Sequence, residues 1–265
     1  MVVCISDIHF GIGSKENIKF REQLFIELLT SLHHKNATLY LVGDLFDYWF
    51  EYTTVLPKEF YSILSALHIA RQNGVEIHYV IGNHDFGHQT FFENELSIPL
   101  YWEDVETIHF GKRFLFSHGD GKAYNDTGYL ILKKILRNKF LKKLYQYVHP
   151  DIGIWLAKQS SQQSRSYTDK KEYNASKKYM AKNGLEDFAK AAIESGVSFV
   201  VMGHIHSKKV LQFGDGFYYN LGEWFSEPHC AVFTEFSHSL LLVESFIQSL
   251  KEPSNLSING ENSYG

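Results

Sequence analysis

The segment Glu76-Ile77-His78-Tyr79-Val80-Ile81-Gly82-Asn83-His84-Asp85 carries the reading that decides the fold. Its first six residues have the β-branched and aromatic character of a strand. Its last four hold no apolar side chain and supply Asn, His and Asp. A buried strand that delivers polar side chains at its carboxyl end is how α/β sheets build ligand sites. Working outward, the same arrangement recurs four times. Val2–Ser6 leads into Asp7-Ile8-His9, and Thr38–Val42 into Gly43-Asp44-Leu45-Phe46-Asp47. Arg113–Ser117 ends at His118-Gly119-Asp120, and Val197–Met202 at Gly203-His204-Ile205-His206. A lone Asp-x-His after a strand reads as a turn or a helix cap. Five such motifs at five strand ends are not independent accidents.

Helices separate the early strands. Residues 16–34 repeat Phe20, Leu24, Leu28 and Leu32 near the helical period. Residues 57–72 start at a proline and stop at Asn73-Gly74. A short strand is expected at 105–110. From Gly128 to Gly196 the pattern is almost wholly helical. Strands are then expected at 197–202, 208–213, 217–221, 230–235 and 239–244, the second and third joined by Gly214-Asp215-Gly216. This layout favours a layered α/β core with two sheets and a helical subdomain. The expected organisation is a core of residues 1–126 and 197–247, a helical insertion or cap at 127–196, and a polar, disordered tail at 248–265.

Composition narrows the class. With 265 residues, 44% of them hydrophobic and 21% charged, the chain can bury a sizeable core and is not disordered or fibrous. A net charge of −4 argues against a general nucleic-acid binder, and no nucleic-acid partner is expected. Only Cys4 and Cys230 occur, without a Cys-x-x-Cys pair, so neither a disulfide framework nor a cysteine zinc site is expected. Met1 leads directly into a strand, and no apolar run reaches the roughly 18–20 residues that span a bilayer. A cytoplasmic protein is expected, peripheral on the inner face of the cytoplasmic membrane.

The five motifs supply Asp, Asn and His and no thiolate. That donor set suits Mn²⁺, Fe²⁺ or Zn²⁺ in a catalytic role better than a structural zinc site. In their order along the chain, Asp7-x-His9, Gly43-Asp44, Gly82-Asn83-His84-Asp85, His118-Gly119 and Gly203-His204-x-His206 resemble the calcineurin-type dinuclear metallophosphoesterases. The resemblance covers residues 1–245 and implies a four-layer α-β-β-α sandwich. It implies two divalent ions, Mn²⁺ first. One sits at Asp7, His9, His206 and a bridging Asp44; the other at Asp44, Asn83, His118 and His204. It places His84 near the phosphoryl or leaving oxygen as acid or charge stabiliser. Asp85 is expected to orient His84 or to stabilise the turn.

The metal motifs do not choose a substrate. Gly43-Asp44-Leu45-Phe46-Asp47-Tyr48-Trp49 is similar to a segment of the UDP-2,3-diacylglucosamine hydrolases of lipid A synthesis. His118-Gly119-Asp120 with Asp126, and the long helical insertion, are similar to the same family. Asn174-Ala175-Ser176-Lys177 resembles its substrate-contacting Asn-x-x-Lys. The resemblance implies a nucleotide-sugar lipid substrate, attack at the α-phosphorus of its pyrophosphate, and the products UMP and 2,3-diacylglucosamine 1-phosphate. Substrate contacts are expected at Asn83, His84, Asp126, Asn174, Lys177 and His204. Arg165, in the polar stretch 159–168, is a further phosphate contact or part of a hinge. Known members carry Gly-Asn-Arg-Asp where this chain has Gly-Asn-His-Asp, and Arg clamps phosphate in a way His does not.

Residues 127–150 contain no Asp or Glu. They interleave Lys133, Lys134, Arg137, Lys139, Lys142 and Lys143 with aliphatic residues. Such a basic amphipathic stretch fits an anionic lipid surface. It also fits an acyl-chain pocket, or a helix packed on the core with solvated lysines. No obligate protein partner is implied. The alternative reading is a soluble dinuclear phosphoesterase acting on a nucleotide or another small phosphate ester.

Overall fold

The computed structural model describes residues 1–122, 138–159 and 184–252. Two sheets face each other. The first has the order β11-β10-β1-β2-β3-β4: β1 (Val2–Ile5), β2 (Thr38–Val42), β3 (Glu76–Val80), β4 (Leu100–Tyr101), β10 (His229–Phe233) and β11 (His238–Leu242). The second has the order β5-β6-β7-β9-β8: β5 (Val105–His109), β6 (Lys112–Ser117), β7 (Phe199–Met202), β8 (Lys209–Phe213) and β9 (Gly216–Asn220). Strands β1 to β4 run parallel, as do β6, β7 and β9.

Both faces of the central strands are buried, so their sequences are continuous apolar runs rather than alternating ones. In β1, Val2 and Cys4 join the core between the sheets with Tyr40, Val42, Phe114, Phe116, Phe199 and Phe233. Val3 and Ile5 point the other way. They meet α1 (Lys15–Ser31), α2 (Tyr61–Gln72) and a C-terminal helix through Leu24, Phe25, Leu28, Ile63, Leu67, Phe246 and Ile247. Beyond the second sheet, Leu115, Val200, Met202 and Tyr218 meet Leu185, Ala189 and Ile193. The chain is therefore helix, sheet, sheet, helix in section.

Short pieces complete the path: a 3₁₀ turn Lys58–Phe60 behind Pro57, a one-turn α3 (Phe91–Asn94), α4 (Lys139–Tyr145), α5 (150–159), α6 (Gly184–Glu194) and α7 (Val243–Lys251). Two of them differ from the sequence-based expectation. Helix α6, expected within the insertion, is the outer layer of the second sheet, because Leu185, Ala189 and Ile193 form its apolar face. Residues 243–251, expected as a strand end and the start of a tail, are helix α7. Val243, Phe246 and Ile247 recur at helical spacing and are buried on the core. Strand β4 is two residues long, too short to show any alternation.

Leu67 is fully buried between α2 and the first sheet. Leu67→Ala is expected to cost about 2–5 kcal/mol. The check is a lower urea midpoint with an unchanged slope.

Candidate metal centre

The five motif loops leave the carboxyl ends of β1, β2, β3, β6 and β7 and converge. Parallel pairing of β1 and β2 continues past the strands: Asp7 N donates to Gly43 O at 3.2 Å, His9 N to Asp44 O at 3.0 Å, and Phe10 N to Leu45 O at 2.9 Å. The two sheets are joined at the same level. His118 Nδ1 lies 3.0 Å from Val42 O across the sheet interface, and within the second sheet Gly203 N donates to His118 O at 3.1 Å. With Nδ1–H given to that carbonyl, Nε2 of His118 faces the centre.

Asp44 sits in the middle. Its Oδ1 accepts from His84 N at 2.9 Å. Its Oδ2 is buried, with no hydrogen-bond partner among the described residues. That atom lies 3.3 Å from His118 Nε2 and 3.7 Å from His9 Nε2. On one side, Asp7 Oδ1 lies 3.4 Å from His206 Nε2 and 3.8 Å from His9 Nε2, and the two imidazole Nε2 atoms are 3.2 Å apart. On the other side, Asn83 Oδ1 is 3.0 Å from both His118 Nε2 and His204 Nδ1. Asp7, His9 and His206, and likewise Asp7, Asp44 and His118, converge closely enough to share a cation. An orphaned carboxylate oxygen ringed by nitrogen and oxygen donors is a fit for divalent metal.

The charges agree. Burial pushes the Asp44 carboxyl up, but His118, His84 and His9 outweigh it and hold Asp44 well below the ordinary carboxylate value. Burial likewise raises Asp7, and the hydrogen-bonded His206 reverses that, leaving Asp7 lowered. Burial pulls His9 down to about 3. Burial and the neighbouring His118 pull His204 down to about 4. Both imidazoles are thus neutral lone-pair donors at neutral pH. His118 goes the other way: burial lowers it, but Asp44 pulls it well above its usual value.

The loops are strained. Asp7, His9, Asp44, His204 and His206 all have φ between 50° and 73°, the left-handed region. For non-glycine residues this costs on the order of 1–3 kcal/mol each and persists only where the surroundings enforce it. The motif glycines have a steric reason. A Cβ on Gly82 would strike Asp44 Oδ1, and one on Gly203 would strike Asp7 Oδ2. Each glycine lets a neighbouring loop's carboxylate approach the backbone.

Of the two roles expected for Asp85, its contacts are those of the turn-stabilising one. Its Oδ1 accepts from Gly82 N at 2.8 Å, and its Oδ2 accepts from Leu45 N at 2.9 Å and from Tyr79 OH. This buried carboxylate ties the β2 and β3 loops together. Asp47, the last residue of the Gly43–Asp47 motif, faces His84, a contact that the spacing of the two motifs does not reveal. His84 Nδ1 is 3.1 Å from Asp47 O and 3.8 Å from Asp47 Oδ1. Asp126, Arg165, Asn174 and Lys177 lie outside the described residues.

The described part of the insertion docks on the segment just after Asp47. The Tyr145 ring stands 4.3 Å from that of Phe50, Gln146 Nε2 reaches Glu51 O at 3.4 Å, and Lys158 pairs with Glu59 at 3.1 Å.

Comparison with known proteins decides the family. Residues 1–208 match the family described as Calcineurin-like phosphoesterase. The chain belongs to that family, and it is a metallophosphoesterase. A UDP-2,3-diacylglucosamine hydrolase of Porphyromonas gingivalis is 30% identical over 236 residues, covering 81% of this chain and 90% of the relative. One from Pseudomonas fluorescens is 26% identical over 217 residues, covering 81% and 84%. Among solved structures, the phosphoesterase YfcE of E. coli aligns over 92% of this chain and 93% of its own, at 14% identity and a TM-score of 0.44.

Asp44→Ala removes the carboxylate whose Oδ2 faces both His9 and His118. It is expected to abolish binding of a pair of divalent ions and to cut turnover at least about 10²-fold, the scale on which single catalytic groups act. Metal stoichiometry by elemental analysis, read beside turnover, is the check.

Proposed function

We propose that this phosphoesterase hydrolyses UDP-2,3-diacylglucosamine to UMP and 2,3-diacylglucosamine 1-phosphate. The observation that carries the reading is the shared Asp44 carboxylate between two donor groups, in a chain whose relatives bear that name over most of their length. Asp7, His9, His206 and Asp44 would hold one cation, and Asp44, Asn83, His118 and His204 the other, with Mn²⁺ as the metal. Two such cations supply Lewis-acid activation of a phosphoryl group and an acidified water as nucleophile. The water oxygen bonds to the α-phosphorus as the bridging P–O bond breaks. Protein groups prepare that step. Asn83 and His204 orient the reacting phosphate. His84, held at Nδ1 by Asp47, is placed to stabilise or protonate the departing oxygen. His84 stands where known relatives carry Arg, so the clamp here is a single imidazole on a rigid loop.

The insertion supports the lipid end of this reading. Helices α4 and α5 leave Phe140, Leu144, Ile152 and Trp155 exposed, with Tyr147 between them 80% exposed. Phe140, Leu144 and Tyr147 lie within the acid-free basic stretch 127–150, and Ile152 and Trp155 just beyond it. Apolar residues beside lysines fit an anionic bilayer surface from which a diacylated substrate is drawn. Among the described residues, no helix is long and apolar enough to cross a membrane. Asp126, Arg165, Asn174 and Lys177 are proposed as contacts to the substrate's sugar and phosphates.

With Mn²⁺ supplied, UMP release is expected from UDP-2,3-diacylglucosamine, with no UMP from UDP-N-acetylglucosamine and no p-nitrophenol from p-nitrophenyl phosphate. Turnover of the simple esters alone would instead support a soluble phosphoesterase of small substrates. Replacing Lys133, Lys134, Lys142 and Lys143 by Gln is expected to weaken binding to phosphatidylglycerol vesicles by roughly 1 kcal/mol per charge. Unchanged sedimentation with vesicles would remove the surface role.

A further inference from the structure

In the loop that carries Asp7 and His9 both residues are left-handed; their amides still pair with the β2 loop, while several carbonyls of the loop find partners elsewhere. Asp7 O then accepts from Trp224 N at 3.3 Å, and Phe10 O from Asp47 N at 2.9 Å. The carbonyls of Ile8, His9 and Ile12 are taken by a side chain. Arg21, in the second turn of α1, sends Nη1 to Ile8 O and to His9 O, the latter at 3.1 Å, and Nη2 to Ile12 O. Arg21 is 0% exposed. Among the described residues it makes no ion pair within 4.0 Å. A buried cation is costly; the carbonyl oxygens it bonds, with the more distant carboxylates of Glu223, Asp47 and Glu22, offset it here. Burial lowers the guanidinium to about 10, so it remains charged at neutral pH.

The same guanidinium also reaches the ring of the ligand. Its Cζ lies 4.4 Å from the centre of the Phe225 ring, and Phe225 stacks on the His9 imidazole at 5.8 Å and 20°. His9 is thus held from two sides, through its own carbonyl and through the aromatic ring that covers it. A planar fork of donors can serve three carbonyls and a ring face at once; an ammonium cannot.

We infer that Arg21 is a positioning residue for the metal centre, fixing the turn that aims Asp7 and His9 at the cation they would share. This rests on the two-cation reading of the site. Support behind a metal ligand, when removed, typically costs about 10–100-fold in metal affinity.

The test measures Mn²⁺ affinity of the full chain by chelator competition, in wild type, Arg21→Lys, Arg21→Met and Leu67→Ala. Leu67→Ala is a destabilised control remote from the site. The expected result is an affinity about 10–100-fold weaker in Arg21→Met, a smaller but clear loss in Arg21→Lys, and wild-type affinity in Leu67→Ala. Wild-type affinity in a folded Arg21→Met overturns the proposal. Should Arg21→Met not fold, Arg21→Lys decides, and wild-type affinity there overturns it equally. An equal loss in Leu67→Ala also overturns it, since affinity would then merely follow stability. A wild-type chain that binds no Mn²⁺ overturns the two-cation reading itself, and the role of Arg21 with it.

Discussion

Everything around the site is arranged so that one buried carboxylate, Asp44, can keep an oxygen unspent. Its Oδ1 is fixed by the His84 amide, and its Oδ2 stands between His118 and His9. In a protein interior an unpaired carboxylate oxygen is expensive. It persists because imidazoles from β6 and β1 meet it from two directions and hold its negative charge. That balance requires both sheets. His9 belongs to the first and His118 to the second, and the His118 ring is steered by Val42 O at the end of β2. The aromatic core between the sheets therefore sets the spacing of the site as well as the stability of the fold.

The cost of such convergence appears in the backbone. Ligands from adjacent parallel strands would point along the strands and past one another. Left-handed turns at Asp7, His9, Asp44, His204 and His206 bend them inward. Several buried polar groups hold those turns: Asp85 joins the β2 and β3 loops, Asn220 Nδ2 donates to Gly203 O at 2.7 Å, and Arg21 supports the β1 loop. Glycines beside the ligands remove the side chains that would block the approach. The site is thus rigid by over-determination, as expected where strain is held at a functional centre.

Family and substrate rest on different parts of the chain. The phosphoesterase core carries the metal donors, and many substrates share such cores. The described part of the insertion docks on the segment after Asp47. Tyr145 on Phe50 and Gln146 on Glu51 link the insertion to the loop that carries Asp44 and Asp47.

Much of this was legible in the residues themselves. Continuous apolar runs marked the buried strands. Polar motifs at their carboxyl ends marked the ligand loops, because side-chain chemistry and strand termination are local properties. Helix α7 was hidden because its apolar positions followed a strand without a break, and α6 because only packing shows which layer a helix covers. The sequence by itself determined the donor types, their order and the layered α/β class. Only the tertiary structure decided which donors share an oxygen, that Asp85 braces loops while Asp47 faces His84, and that Arg21 stands behind His9. Those assignments depend on distances between segments far apart in the chain, and such distances are set by the packing of two sheets rather than by any local pattern.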